Sequence, residues 1–179
     1  MDYMQAYSLA NHWKRKLAPY CDRVEIAGSI RRHKADPKDI ELCCIPKRLT
    51  VNHSNLFETK FVNGARHPGF ISALRDEEHI RIEMGKPEDG KYVKCMLPQG
   101  IKMDVFICTA DNWGYLFAIR TGPSEYSHKV LANRWCRKGY YGHDGMLMRD
   151  NVPVPLYEEE DLYKLLEIPM PLPENRRYP

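Results

Sequence analysis

Apolar and polar positions recur along this chain with two different spacings, and each spacing predicts a kind of element. Residues 3–18 carry apolar side chains at helical spacing, which predicts a helix that Pro19 ends. The stretch DRVEIAG favours a short strand, and DIELCCIP favours a second strand that stops at Pro46. The loop between these strands is predicted over residues 35–38, which contain Pro37.

The middle of the chain is patterned less clearly until a hairpin begins near residue 90. Within 47–80, NLFETKFVNG predicts a loop and HPGFISALRD predicts a short helix. The stretch GKYVKCMLPQGIKMDVFICT predicts two strands that turn at 98–100. In the second strand, Asp104 shares one face with Lys102 and Phe106, because successive side chains point to opposite sides of a sheet.

Two further helices are predicted in the last third of the chain. One begins at Pro123 and Ser124 and ends before Gly139, a residue that suits the position just past a helix. The other covers YEEEDLYKLLEIP, whose acidic first turn suits the helix dipole. The order of elements predicts an α/β (α+β) fold, with a mixed sheet flanked by helices and then a smaller, more helical part.

Composition narrows the classes of protein. A chain of 179 residues can form one domain or two small subdomains. It has no apolar run long enough to cross a bilayer, so we expect no membrane partner. The six cysteines include no C-x-x-C pair, which is unlike a zinc site and typical of reduced thiols in a cytoplasmic or other intracellular protein. The net charge of +3 by itself identifies no partner.

One short stretch, AGSIRRHKADPKDIELCCIP, brings basic and acidic groups together. Asp39 and Glu41 are two positions apart in a strand, so their carboxylates face one side, where Asp104 of another strand could join them. Three close carboxylates repel one another unless cations neutralise them. Mg²⁺ binds such oxygens, and a pair of ions would stabilise an in-line phosphoryl displacement.

The turn upstream of these acids carries groups that suit phosphate. Gly28 allows a close approach of the backbone, and the Ser29 hydroxyl can hydrogen-bond phosphate oxygens. Arg31 and Arg32 can neutralise a triphosphate. Simpler interpretations stay open for each short motif, because an Asp-x-Glu strand is often only a solvated face and a Gly-Ser pair only a turn. The basic clusters are likewise compatible with solvated helix faces.

Together these motifs resemble family X DNA polymerases, the polymerase-beta-like branch of the nucleotidyltransferase superfamily. The resemblance rests on VEIAGSIRR, DIEL, GIKMDVFIC, RTGP, RKGYYGHDGM and the closing EEEDLYKLLEIPMPLPENR, which occur in the family's order. Residues 47–88 carry little of it. The resemblance implies a catalytic palm over 1–110 and a C-terminal α/β subdomain that binds nucleotide and DNA over 111–179.

The resemblance also implies a role for each matching residue. Asp39, Glu41 and Asp104 would hold two Mg²⁺ ions, with Mn²⁺ as an alternative, and Asp104 would help to activate the primer 3′-hydroxyl. The implied nucleotide-binding residues are Gly28, Ser29, Arg31, Arg32, Arg120, Thr121 and Gly122. In the family the peptide bond after this last glycine is cis. Basic charge on the predicted helix after Pro123 suggests DNA-binding residues, namely Lys129, Arg134, Arg137 and Lys138.

The chain departs from the family pattern at two places near the site. Glu41 stands where the family usually has Asp, and Ile119 and Arg120 stand where it usually has an aromatic residue before Thr-Gly. The helix after Pro123 is about one residue out of the family's spacing. We expect a minimal form without the N-terminal lyase and helix-hairpin-helix regions, and hence without deoxyribose-phosphate lyase activity.

These observations favour a monomeric, Mg²⁺-dependent enzyme that adds a nucleotide from a nucleoside triphosphate to a DNA primer or DNA end, in short-gap or end repair. A nucleotidyltransferase acting on RNA, a protein or a small molecule is the second hypothesis. A non-catalytic relative that binds DNA ends is the third, and the glutamate at position 41 is the feature that supports it.

Overall fold

The computed structural model describes residues 1–55, 58–76, 78 and 80–178, and of residues 50–55 and 58–63 it describes the backbone alone. The helices are α1 (Tyr3–Leu17), α2 (Gly28–Arg31), α3 (Pro68–Leu74), α4 (Trp113–Thr121), α5 (Ser124–Tyr126), α6 (Asn133–Arg137) and α7 (Glu159–Leu166). The strands are β1 (Cys21–Ile26), β2 (Asp39–Pro46), β3 (Arg48–Asn55), β4 (Glu58–Arg66), β5 (Arg81–Met84), β6 (Tyr92–Met96), β7 (Lys102–Ile107), β8 (Tyr141–His143), β9 (Met146–Arg149) and β10 (Val152–Val154).

The main sheet has five strands in the order β1-β2-β7-β6-β5. Its strand β2 runs antiparallel to β1 and parallel to β7, while the remaining neighbours are antiparallel, so the sheet is mixed. Strand β2 therefore has a partner on both sides. Its sequence DIELCCIP is apolar on both faces after the acids, as an internal strand requires.

Helices cover both faces of this sheet. The buried residues of α1 are Ala6, Ala10, Trp13 and Leu17, which lie on one stripe and pack on the face that carries Met103 and Val105. The opposite face carries Cys43 and Phe106, and α4 packs there through Trp113 and Phe117. The predicted fold class, a mixed sheet flanked by helices, is confirmed.

A second core lies in the C-terminal part of the chain. It joins α4, the helical segment after it and α7 to a three-stranded antiparallel sheet in the order β10-β9-β8. A π-helical segment over Ser127–Ala132 joins α5 to α6. Because of its three-stranded sheet, this region is less helical than the sequence pattern predicted.

One segment prediction was wrong, and one small sheet was missed. The loop predicted over NLFETKFVNG is largely strand β4, which pairs with β3 in a hairpin of its own; positions 56 and 57 lie outside the described residues. This hairpin is separate from the main sheet, so it lacks the alternation of apolar and polar residues that burial of one face imposes. The small sheet β8–β10 was missed because its strands are short, although Asp-Gly and Asp-Asn turns with positive φ connect them.

The other segment predictions hold. Strands β1, β2, β6 and β7 and helices α1, α3 and α7 lie where the pattern placed them.

The bond between Gly122 and Pro123 is trans, unlike the family feature that the resemblance implied. Proline lowers the cost of a cis bond but leaves trans the more stable form, and the trans chain here leads directly from α4 into α5. In the described residues no helix is long and apolar enough to cross a membrane.

Candidate functional site

The turn between β1 and α2 is shaped by Gly28. This residue has φ of +63°, a conformation that side chains with a Cβ rarely adopt. A Cβ at this position would also collide with the carboxylate of Glu41, which lies directly over the glycine. The tight turn and the long acidic side chain therefore fit together only because residue 28 has no side chain.

Ser29 follows in the same turn and is buried. Its Oγ has no hydrogen-bond partner among the described residues, and the residue lines a cavity. A buried hydroxyl without a partner is costly, so such groups commonly mark the place of an absent ligand, ion or water. This serine hydroxyl is the one unsatisfied polar side-chain atom of the described chain that lies in the cavity wall.

The acidic residues lie on neighbouring strands. Asp39 and Glu41 are on β2, Asp104 is on β7, and Glu41 and Asp104 are register partners in the parallel pair. In-register residues of paired strands point to the same face, so all three side chains project from one side of the sheet. This arrangement agrees with the expectation drawn from the spacing of the acids.

The carboxylates are nevertheless not gathered around one point. The Asp104 Oδ1 atom accepts a hydrogen bond of 2.6 Å from the Tyr92 hydroxyl, while the Glu41 carboxylate lies over Gly28. Among the described residues, no three His, Cys, Asp or Glu side chains meet closely enough to hold a metal ion in this arrangement. The chemistry of the donor set still fits a hard divalent cation, since three carboxylates and a free hydroxyl share one edge.

The surroundings of Glu41 raise its pKa to about 7. Burial is the main cause, the negative charges of Asp39 and Asp104 add to it, and Arg32 and Arg120 oppose it. Burial also lowers the pKa of Arg32. Burial and the hydrogen bond to Asp104 raise the pKa of Tyr92, so its hydroxyl remains a donor. The acid cluster is thus under an electrostatic strain that a bound cation would relieve.

A cavity of about 560 Å³ opens beside these groups. It brings together six of the residues that the sequence predicted for the site: Ser29, Arg32, Asp39, Glu41, Arg120 and Gly122. The Arg120 guanidinium also lies 4.0 Å from the centre of the Phe106 ring. Asp104 is not part of the cavity wall and lies beside it on β7.

Arg31 and Thr121 are engaged elsewhere. Arg31 binds Glu159 through both guanidinium ends, at 3.0 and 2.8 Å, and donates to the Thr121 hydroxyl at 2.5 Å. Its guanidinium also lies 3.9 Å from the centre of the Phe117 ring. Sequence reasoning gave the two adjacent arginines one role, but the short helix α2 turns Arg31 away from the cavity and Arg32 toward it.

Glu159 is itself buried and takes a second arginine. Arg176 donates to it at 2.5 Å, and the side chain of Arg176 is fully buried. Burial alone would raise the pKa of Glu159, but the hydrogen bonds from Arg176 and Arg31 outweigh it and hold the pKa below its ordinary value. This three-residue cluster, Arg31–Glu159–Arg176, ties α2 to α7 and to the chain near residue 176.

Several residues of the cavity wall were not identified from the sequence. Tyr115 and Trp135 form one side of it, with ring centres 5.4 Å apart, and Ser127 and His128 belong to the π-helical segment. Tyr92, the partner of Asp104, was also missed. Their positions depend on the packing of α4 against the segment that follows, and no local pattern of the sequence encodes that packing.

The predicted DNA-binding residues lie on the exposed side of the same helical segment. Lys129 pairs with Glu125 at 2.6 Å, and Lys138 pairs with Glu167 at 3.0 Å. Arg134 and Arg137 are exposed. These two arginines are one helical turn apart and therefore share a face.

The five-stranded mixed sheet, with the Gly-Ser turn at one end and α4 across one face, has a fold similar to that of polymerase beta. One solved structure with this fold is polymerase beta of Leishmania infantum, in a "ternary P/T complex". It is 16% identical in sequence to this chain and superimposes with a TM-score of 0.68, over 99% of this chain and 77% of that one. No model of a known protein family matches the sequence, and neither does any curated protein.

Proposed function

We propose that the protein is a divalent-metal-dependent nucleotidyltransferase that adds a nucleoside monophosphate to a DNA 3′-hydroxyl. The observation that carries this proposal is the placement of Asp39, Glu41 and Asp104 on one face of paired strands. The glycine-serine turn with its unsatisfied hydroxyl lies at the same edge. In the reaction, the 3′-oxygen forms a bond to the α-phosphorus of a nucleoside triphosphate, the bond to the β-phosphate breaks, and pyrophosphate leaves.

The acids would hold the cations and accept the proton. Asp39, Glu41 and Asp104 are the ligands we assign to two Mg²⁺ ions, with Mn²⁺ as a substitute. When bound, such ions supply the charge neutralisation that an in-line displacement requires. We assign Asp104 the further role of taking the proton from the 3′-hydroxyl, since it lies beside the cavity and its partner Tyr92 is neutral.

The cavity would hold the triphosphate and sugar. Ser29 and the backbone at Gly28 would donate to phosphate oxygens, and Arg32 and Arg120 would neutralise the remaining charge. The wall of Gly122, Tyr115 and Trp135 would then face the sugar and base. In this proposal, residues 1–110 carry the chemistry and residues 111–179 contribute the binding wall, because the cavity is lined from both.

DNA would approach across the helical segment that ends at residue 137. Arg134 and Arg137 are exposed, whereas Lys129 and Lys138 are already paired with acids and would have to exchange partners. Phosphate contacts of this kind make binding fall steeply with salt. The small surface favours action on short gaps or ends.

The test is primer extension with purified protein. A labelled primer, single-stranded or in gapped or recessed duplex, is incubated with each nucleoside triphosphate and with Mg²⁺, Mn²⁺ or a chelator. We expect extension that requires the divalent ion and is absent in Asp104→Ala. DNA binding without extension under every condition would refute the enzyme and support a non-catalytic end binder. Label transfer to RNA or protein alone would move the proposal to another acceptor.

A further inference from the structure

A second cleft, of about 750 Å³, lies at the opposite end of the central strands. Its wall includes Pro46 at the end of β2 and Thr109 just beyond β7, whereas the acids lie near the starts of these strands. Five residues of extended chain separate Glu41 from Pro46, which is about 16 Å. The cleft is therefore distinct from the candidate active site, and the proposed reaction makes no use of it.

Three cations of the cleft wall have no described ion-pair partner and bind backbone carbonyls instead. Lys47 donates to the carbonyl of Pro19 at 2.9 Å, Arg48 to that of Gly64 at 3.1 Å, and Arg66 to that of Pro87 at 2.8 Å. Within the described part of the chain, none of the three forms an ion pair. Backbone carbonyls satisfy single N–H groups but do not neutralise the charge.

Arg66 is the most informative of these cations because it is only 5% exposed. A guanidinium has five N–H donors, and its single described hydrogen bond uses one of them. Burial lowers the pKa of Arg66 and the nearby positive charge of Arg48 adds to this effect, while the negative charges of Asp89 and Glu88 oppose it only in part. Proteins rarely bury an arginine without an anion, since the charge loses its hydration and gains nothing in return.

His67 adds a neutral donor to the same wall. Its Nδ1 atom accepts a hydrogen bond of 3.0 Å from the Gly69 N–H, so in the neutral ring the proton sits on Nε2. The ring stacks on Tyr20 with centres 5.2 Å apart, and a Cβ at Gly69 would collide with that tyrosine. The imidazole is thus held in one orientation by its neighbours.

Acidic residues in the wall compensate only part of the charge. Lys91 is paired with Asp144, and Asp22 and Asp89 are the other two carboxylates of the lining. Both of the latter are exposed to solvent, where water screens their effect on a buried arginine. Four cations therefore face three carboxylates, and the most deeply buried group is a cation.

We propose that this cleft is an anion-binding site that holds a phosphate group. Arg66 and Arg48 would supply forked donors, with His67 as a neutral donor and Lys47 as a point charge. The volume is within the range of sites that hold a nucleotide-sized group. A nucleic-acid strand and free phosphate carry the same chemistry. The inference goes beyond the proposed function and does not depend on it.

The test uses inorganic phosphate and isothermal titration calorimetry on the full chain. An Arg32→Ala background weakens phosphate binding in the first cavity, so the further change in affinity caused by a substitution in the second cleft reports on that cleft. Into it we introduce Arg48→Ala, which changes an exposed residue, or Arg66→Lys, which keeps the charge and removes the fork. Arg81→Ala is the matched control, since it removes an exposed arginine from the distant strand β5. Thermal melts check that each variant is folded.

We expect phosphate binding to persist in Arg32→Ala and in the control, and to weaken about tenfold in the Arg48→Ala and Arg66→Lys variants. Absence of binding in the Arg32→Ala protein, or equal affinity with and without Arg48, would overturn the proposal. If Arg66→Lys fails to fold, Arg48→Ala decides alone.

A labelled oligonucleotide then distinguishes the two sources of phosphate. In one outcome, Arg48→Ala binds the oligonucleotide more weakly, and the slope of log affinity against log salt concentration becomes shallower by about one. This outcome assigns the site to a nucleic-acid backbone. Unchanged oligonucleotide binding together with weakened inorganic phosphate binding assigns it to a free anion.

Discussion

Arg31 and Arg32 are adjacent in sequence, but the structure places them in different surroundings, so we expect mutation to separate their effects. We expect Arg31→Ala to destabilise the protein while leaving nucleotide affinity nearly unchanged. We expect Arg32→Ala to do the reverse. The reason is that Arg31 is bound to Glu159 away from the cavity, whereas Arg32 lines it.

The loss of stability expected for Arg31→Ala follows from the partners of this arginine. Removing one member of a buried ion pair costs about 3–5 kcal/mol when the other charge is left alone. The Glu159 side chain is 5% exposed, but it keeps Arg176, so we expect the lower end of this range. At about 3 kcal/mol, a chain of this size should melt about 6–12 °C lower. Arg31→Lys keeps the charge but cannot bind Glu159 through two parallel hydrogen bonds. Its melting temperature should therefore lie between those of wild type and Arg31→Ala.

For Arg32→Ala we expect a smaller loss of stability than for Arg31→Ala and a larger loss of nucleotide affinity. Loss of its hydrogen bond to the Thr121 carbonyl, 2.6 Å long, costs about 1 kcal/mol. Loss of a charge-assisted hydrogen bond to a triphosphate costs about 1.5–3 kcal/mol, or roughly tenfold to a hundredfold in affinity.

Thermal melts and calorimetric titration with a nucleoside triphosphate measure both quantities on the same samples. An Arg31→Ala protein with wild-type stability and weakened nucleotide binding would show that the Arg31–Glu159 pair does not form in solution. Equal effects of the two variants on affinity would refute the separation of roles.

Further substitutions test the acids and their surroundings. Asp104→Ala should abolish nucleotide addition with an unchanged melting temperature, and extension at the wild-type rate would remove Asp104 from the site. Glu41→Asp should keep or raise activity because it draws the carboxylate back from Gly28, whereas complete loss would mean that the strand is misassigned. Tyr92→Phe frees Asp104 from a hydrogen bond, so Mn²⁺ followed by electron paramagnetic resonance should bind about two- to tenfold more tightly; equal affinity would contradict this. The pKa of Glu159 is lower in the folded protein than its ordinary value of 4.5. The ionised carboxylate therefore stabilises the fold fully above pH 4.5, and this stability is lost as the pH falls through the pKa of the folded state. Glu159→Gln should therefore melt below wild type at neutral pH, with a difference that shrinks toward pH 3; a constant difference would argue against the linkage.

The relative positions of residues close in sequence were the part of the candidate site that the sequence could predict. Gly28, Ser29, Asp39 and Glu41 lie within one turn, loop and strand, so strand periodicity alone placed the two acids on one face. Placing Asp104 beside them required one further assumption, that its strand lies next to theirs with this side chain on the same face. The parallel pairing of β2 and β7 satisfies that assumption. These features depend on local geometry, and local geometry is what sequence spacing encodes.

Roles that depend on packing between distant segments could not be predicted in the same way. Arg31 and Glu159 are 128 positions apart, and only their burial together reveals the pair. Tyr92 and Trp135 read as ordinary strand and core residues, yet one binds Asp104 and the other lines the cavity. The raised pKa of Glu41 likewise comes from burial, which a sequence does not show.

The π-helical turn at Ser127–Ala132 fits one more residue into the helix than regular winding would need. Deleting a single residue there would let the backbone rewind into an ordinary α-helix while the helical segments on either side kept their relative orientation, because a π-turn absorbs its extra residue locally. Ser127 and His128, which line the cavity from this turn, would then shift, while Trp135 stayed in the core. Removing one residue from the turn is thus a means of reshaping one wall of the cavity without displacing the helix that follows.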